Sequence, residues 1–214
     1  MALTLLQIVA QAQAELGLFP VATSVVGNTD TTVQQMLALL NALGRDLVTE
    51  RDWAAQQRTG IVNPDAPIVT TGDTTAGSPF ITNIPSTAGL APAYFLCTGQ
   101  TIPAAARIQS IAGPTSLTLD SEATTTATGV QLTFPKDRYD LPSDFGHFIN
   151  QTQWDRTNHW QLNGPMSPQE DEWVRSGIVT TGPRRRFRIT SVYGGASATL
   201  NRAFEIWPAP ATTD

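Results

Sequence analysis

The sequence predicts an α+β fold: a small helical bundle plus antiparallel β elements, with an all-β module inserted between the two halves of the core. Three observations predict it. Apolar residues recur at helical spacing in the first fifty residues, strand-and-turn texture fills residues 61–134 almost without charge, and aromatics and charges return together after Pro135. The expected boundaries are a core of residues 1–60 and 135–214, and a module of residues 61–134.

The first helix opens at Thr4-x-x-Gln7, a capping-box spacing in which both side chains can satisfy free backbone N–H groups. Leu5, Ile8, Val9, Ala12 and Leu16 then form its apolar stripe, and Gly17 stops it. A turn-rich connection leads to a second start at Asp30–Thr32. Val33, Met36, Leu37, Leu40, Leu43 and Leu47 make the stripe of a longer helix, with Gln35, Asn41, Arg45 and Asp46 outside.

Between 61 and 134 the only charged residues are Asp65, Asp73, Arg107, Asp120 and Glu122. Strands are expected at "PFITNI", "AYFLCTG", "ARIQSIAG", "TSLTLDS" and "VQLTF". Further on, "SPQEDEWVRSG" reads as a short helix with a serine cap, three acids near its positive end and a stop at Gly177. "RRRFRITSVY" and "RAFEIWP" read as two strands joined through "GGASATLN".

Composition narrows the function. Charged residues are 14% of the chain, against roughly 25% in an ordinary soluble domain, and the net charge is -5 with a single lysine, Lys136. Such a weakly charged surface suits a protein packed against neighbours. Cys97 is the only cysteine, so an intrachain disulfide is excluded, and it reads as a small buried residue. The N-terminus lacks a basic region ahead of its apolar run, so no signal peptide is expected, and no run reaches the ~20 residues of a membrane span.

Enzyme signals are thin. Asp155 and His159 are four apart and would share a helix face as a dyad or metal pair; a structural hydrogen bond explains them as well. Asp171 and Glu172 could pair for glycoside hydrolysis, but with Glu170 they fit the helix dipole. Trp154, Trp160 and Trp173 could stack on sugars, or serve as core or interface. No phosphate loop, nucleophile elbow or metal signature occurs, so no catalytic residue, cofactor or metal is assigned.

The "GPRRRFRI" stretch poses the sharpest question. On a strand, Arg184, Arg186 and Arg188 project from one face, and Arg185, Phe187 and Ile189 from the other. They could grip consecutive phosphates, remain solvated, or pair with Asp140, Asp144, Asp155 or Glu170–Glu172. Pairing is favoured, because tight phosphate contacts do not fit an acidic, lysine-poor chain.

The stretch from Leu141 to Ile189 resembles the head-to-tail adaptors of tailed bacteriophages, the tail tubular protein A group. Its most telling parts are Leu-Pro-x-Asp-Phe at 141–145 with Asp144, Trp154-Asp155-Arg156, and the arginine stretch; the two N-terminal helices fit the same family. The middle module is similar to a β-rich unit of phage structural proteins, with glutamine and alanines replacing glycines in "TGQTIPAAAR".

The resemblance implies a non-enzymatic virion protein at the head–tail junction, assembled in the host cytoplasm. It implies a self-associated ring of about twelve copies joining portal protein to the tail tube or nozzle, with tail fibres as a further candidate partner. Double-stranded DNA would pass its lumen without tight binding. Relatives often continue into one more strand, so a partner chain is expected to supply that edge. Arg184, Arg185, Arg186, Arg188, Asp144, Trp154, Asp155, Arg156 and Glu172 are the interface or ion-pairing candidates. The alternative is a glycan-binding or glycan-hydrolysing tail component on the same scaffold.

Overall fold

The computed structural model describes residues 3–18, 21–149, 151–178, 186–193 and 200–209. Its helices and antiparallel sheets make an α+β fold, divided into compact units at Gly60 and Ile61.

In the first unit, helix α1 (Leu5–Glu15) starts with the expected reciprocal box: Gln7 N–H donates to Thr4 Oγ1 (3.3 Å) and Thr4 N–H to Gln7 Oε1 (2.8 Å). Helix α2 (Thr31–Glu50) is capped by Asp30, whose Oδ1 accepts from the N–H groups of Thr32 and Val33. Val9, Val25 and Val33 form a small core, flanked by Met36, Leu37 and Leu40.

Both predicted stripes are wider than what is buried. Ile8 and Leu16 are exposed, whereas Gln13 is buried because its Oε1 accepts from Ala22 N–H at 2.8 Å and ties down the connection. Leu43 and Leu47 are also exposed. An 11-residue helix is about 16 Å long and a 20-residue one about 30 Å, so α1 cannot cover the last turns of α2.

The second unit begins with five antiparallel strands: β1 (Ile68–Thr74), β2 (Phe80–Thr82), β3 (Ile108–Gly113), β4 (Ser116–Leu119) and β5 (Ala127–Phe134), in the order β3-β4-β2-β1-β5. The expected strand "AYFLCTG" instead supplies a closing segment, Phe95–Thr98. Thr98 exchanges two backbone hydrogen bonds with Thr133 of β5. On the other side, Cys97 N–H donates to Ala106 O and Ile108 N–H to Phe95 O. The sheet thereby closes on itself around Ile81, Ile84, Leu117, Leu119, Leu132 and Phe134.

Strand alternation links this barrel to the C-terminal part of the chain. Phe95 and Cys97 point into the barrel core, while Leu96 between them packs on Met166, Val174 and Trp207. Ala106 and Ile108 likewise point inward, and Arg107 between them points out, to Asp137 and Glu205. Residues 61–134 therefore share one compact unit with the C-terminal residues, whereas the charge and texture of the sequence suggest a separate insertion.

The remainder comprises β6 (Arg138–Asp140), the hairpin β7 (Trp154–Asp155) and β8 (Trp160–Gln161), helix α3 (Pro168–Trp173) running into a π turn at Val174–Ile178, and β9 (Arg186–Tyr193) with β10 (Leu200–Trp207). The three-stranded sheet has the order β6-β10-β9. One face is sealed by aromatics: Phe148 packs edge-on against Phe145, Phe187 and Phe204 at centroid distances of 4.8, 5.6 and 5.4 Å.

Candidate functional site

A network of four arginines and three carboxylates lies where the barrel meets the three-stranded sheet. Glu205 is central in it, with a side chain only 1% exposed. On β10 it stands between Arg138 of β6 and Arg188 of β9 in the strand register. Its oxygens receive Arg138 Nε at 3.1 Å, an Arg107 N–H at 3.2 Å and an Arg175 N–H.

Two further acids extend the network. Asp137, fully buried, takes both guanidinium N–H groups of Arg107 at 2.7 and 2.6 Å. Asp171 of α3 accepts from Arg175 Nε at 2.9 Å and from Arg188. Ala93 O accepts from both Arg107 (2.9 Å) and Arg138 (3.0 Å). Planar guanidinium forks suit such convergent sites.

Local sequence explains the placement. Ser167 and Glu170 form a reciprocal capping box that starts α3 at Pro168, and the next residue, Asp171, then faces inward. One helical turn later Arg175 returns to the same face. Burial raises the Asp137 carboxyl above its ordinary range, against the pull of Arg107. Burial also lowers Arg138, aided by the neighbouring Arg107 charge.

The predicted residues fare unequally. Arg188 is in the network, paired within the acidic run that the sequence offers as a partner. Arg186 lies over the Trp173 ring at 5.8 Å, a cation–π contact. Arg184 and Arg185 lie outside the described residues. Asp144, Trp154, Arg156 and Glu172 are exposed. Asp155 shapes the β7–β8 turn, accepting from Thr157 N–H, Asn158 N–H and the Asn158 amide. The helical spacing expected for Asp155 and His159 is absent: they belong to a hairpin, and His159 sits at φ 56° in its turn.

Sequence reasoning reaches Asp171 only as one member of the Glu170–Glu172 run, and it does not single out Arg107, Asp137, Arg138, Arg175 and Glu205 as site residues. A signal is present for two of them. Glu205 is a lone acid within "AFEIW", and Arg107 is the only basic residue of the 61–134 stretch. A charge in an apolar strand must be paired when buried.

Chemically, the network is closed: each of its carboxylates is already engaged by arginine. Among the described residues no group of three His, Cys, Asp or Glu could hold a metal, and no helix is long and apolar enough to cross a membrane. A separate open groove of about 640 Å³ borders Tyr94, Lys136, Tyr139 and Asp140. Comparison with family models, curated proteins and solved structures finds no match to this chain.

Proposed function

We propose that this chain is a structural head-to-tail adaptor of a tailed bacteriophage, acting as a ring between portal and tail. The observation that carries the reading is the row Leu39, Leu43 and Leu47 on α2, which the first unit leaves exposed at 64%, 58% and 54%. Leucines four apart line one side of a helix, and an uncovered apolar row of this kind suits helix-to-helix packing between copies. The resemblance of residues 141–189 to the adaptor family points the same way.

The arginine strand fits a scaffold better than a DNA grip. Arg188 is committed to Asp171 and Arg186 to the Trp173 ring, leaving less cationic surface for phosphates. The genome would then pass a lumen that does not hold it.

The test is the particle mass of the purified chain, alone and mixed with portal protein, by native mass spectrometry and negative-stain imaging. Rings that bind portal are expected. A monomer that ignores portal at micromolar concentration sinks the reading. Arg186→Glu refines it: weakened rings with unchanged DNA affinity are expected, and intact rings with lost DNA affinity would restore the grip.

A further inference from the structure

The chain's single lysine fastens a segment that the backbone does not. Strand β1 pairs with β5 up to Ile68 opposite Phe134. Continuing that register would set residues 65–66 beside 136–137, but Pro64 and Pro67 on one side and Pro135 on the other cannot donate to a ladder. The ladder stops, and residues 61–67 have no regular structure.

A side-chain clasp bridges this gap. Lys136 Nζ donates to Asp65 Oδ2 at 2.8 Å and lies 5.0 Å from the centroid of the Tyr139 ring. Tyr139 is held independently, its hydroxyl donating to Lys136 O at 3.1 Å. The open groove runs beside the segment, which lends it Ile61, Val62 and Asn63. Ile61 is 66% and Val62 38% exposed, and only Pro64 and Pro67 of the segment are half-buried, so burial holds it lightly.

We propose that residues 61–67 are a releasable strap whose closed position is set by Lys136 through Asp65 and the Tyr139 face. An ion pair whose lysine is half-buried and whose aspartate is exposed, with one cation–π contact, is weak enough to open and re-form readily. The strap begins directly after the first compact unit ends. Opening it lengthens the free chain ahead of β1 by up to about 24 Å, at ~3.4 Å per extended residue.

Hydrogen exchange on the full chain tests this at the amides of residues 61–63 and 65–66. In low salt these amides should exchange more slowly than free chain. Lys136→Gln should speed them about 10-fold while β1 stays unchanged, and 1 M salt should act in the same direction on the unmodified protein. Lys136→Asp combined with Asp65→Lys should restore protection. Exchange at the free-chain rate in the unmodified protein overturns the proposal. So does indifference to both Lys136→Gln and salt, or a β1 that speeds by the same factor. Should Lys136→Gln fail to fold, the salt comparison alone decides.

Discussion

Arg188 stands directly across from Glu205 in the β9–β10 register, and its guanidinium reaches Asp171 on α3. The strand pairing thus delivers a cation to the edge of an acid cluster, and the helix is drawn onto the sheet by it. Arg175 binds both Asp171 and Glu205, so the helix is fastened twice.

Glu205→Gln should therefore be severe. It removes the one negative charge shared by Arg107, Arg138 and Arg175 in a site closed to water. A loss of ~3–5 kcal/mol is expected, the usual result of stripping one partner from a buried pair. Urea unfolding checks it; a loss under ~1 kcal/mol would mean that water replaces the carboxylate.

Gly164→Ala tests the covering of β9. A methyl built there would meet Phe187 O at 2.4 Å and its ring at 2.9 Å. The same stretch brackets Phe187 with two backbone bonds, Phe187 N–H to Asn163 O (3.0 Å) and Met166 N–H to Phe187 O (2.9 Å). Forced displacement should cost about 1–3 kcal/mol. Thermal unfolding with no change in midpoint would contradict this packing.

Cys97 should be chemically silent. Burial, helped by the Asp120 charge, pushes its thiol from 9.0 up to about 12. The folded protein should resist a disulfide reagent at pH 8, and urea should release one thiol. Stability should carry the same signature. The folded state holds the thiol proton more tightly, so this contribution is complete below pH 9.0 and declines as pH rises toward 12. A thiol that reacts at full speed in the native protein would refute its burial.

The two leucine positions of α2 should behave differently. Leu40, half-buried against the valine core, should cost about 1–2 kcal/mol on truncation to alanine, below the range of a fully enclosed leucine. Leu43→Ala should leave the isolated chain within ~0.5 kcal/mol of the original while weakening ring formation. Rings of unchanged stability would remove the leucine row from the interface.

Deleting residues 61–134 and joining Gly60 to Pro135 should be damaging. The deletion removes Arg107 from Asp137 and Leu96 from Trp207. Circular dichroism should show lost structure, whereas residues 61–209 alone should unfold in one cooperative transition. A well-folded deletion product would mean that the barrel is separable after all.

Much of the fold was legible because the signals were local. Capping at Thr4, Asp30 and Ser167 and the apolar alternation of β4 and β5 needed only neighbouring residues. Strand β1 gave a weaker signal, since after Ile68 and Val69 only Thr, Gly and Asp follow; Gly72 is small because Ile81 and Leu132 press on it from other strands. The network was mostly illegible for a related reason. Its residues lie at 107, 137–138, 171–175, 188 and 205, and only the closed barrel and the β6-β10-β9 order bring them together.

The closing segment Phe95–Thr98 has a consequence for how the chain survives its own synthesis. It can seat only when β5 and residues 106–108 are both in place, and its bond to Thr133 spans 35 residues. Long-range closures of this sort come late. Until it seats, β3 and β5 both present open hydrogen-bonding edges, each a template for another nascent chain. These four residues thus cover both edges. Substitutions that slow their docking should lower the yield of soluble protein well before they lower the stability of the finished one.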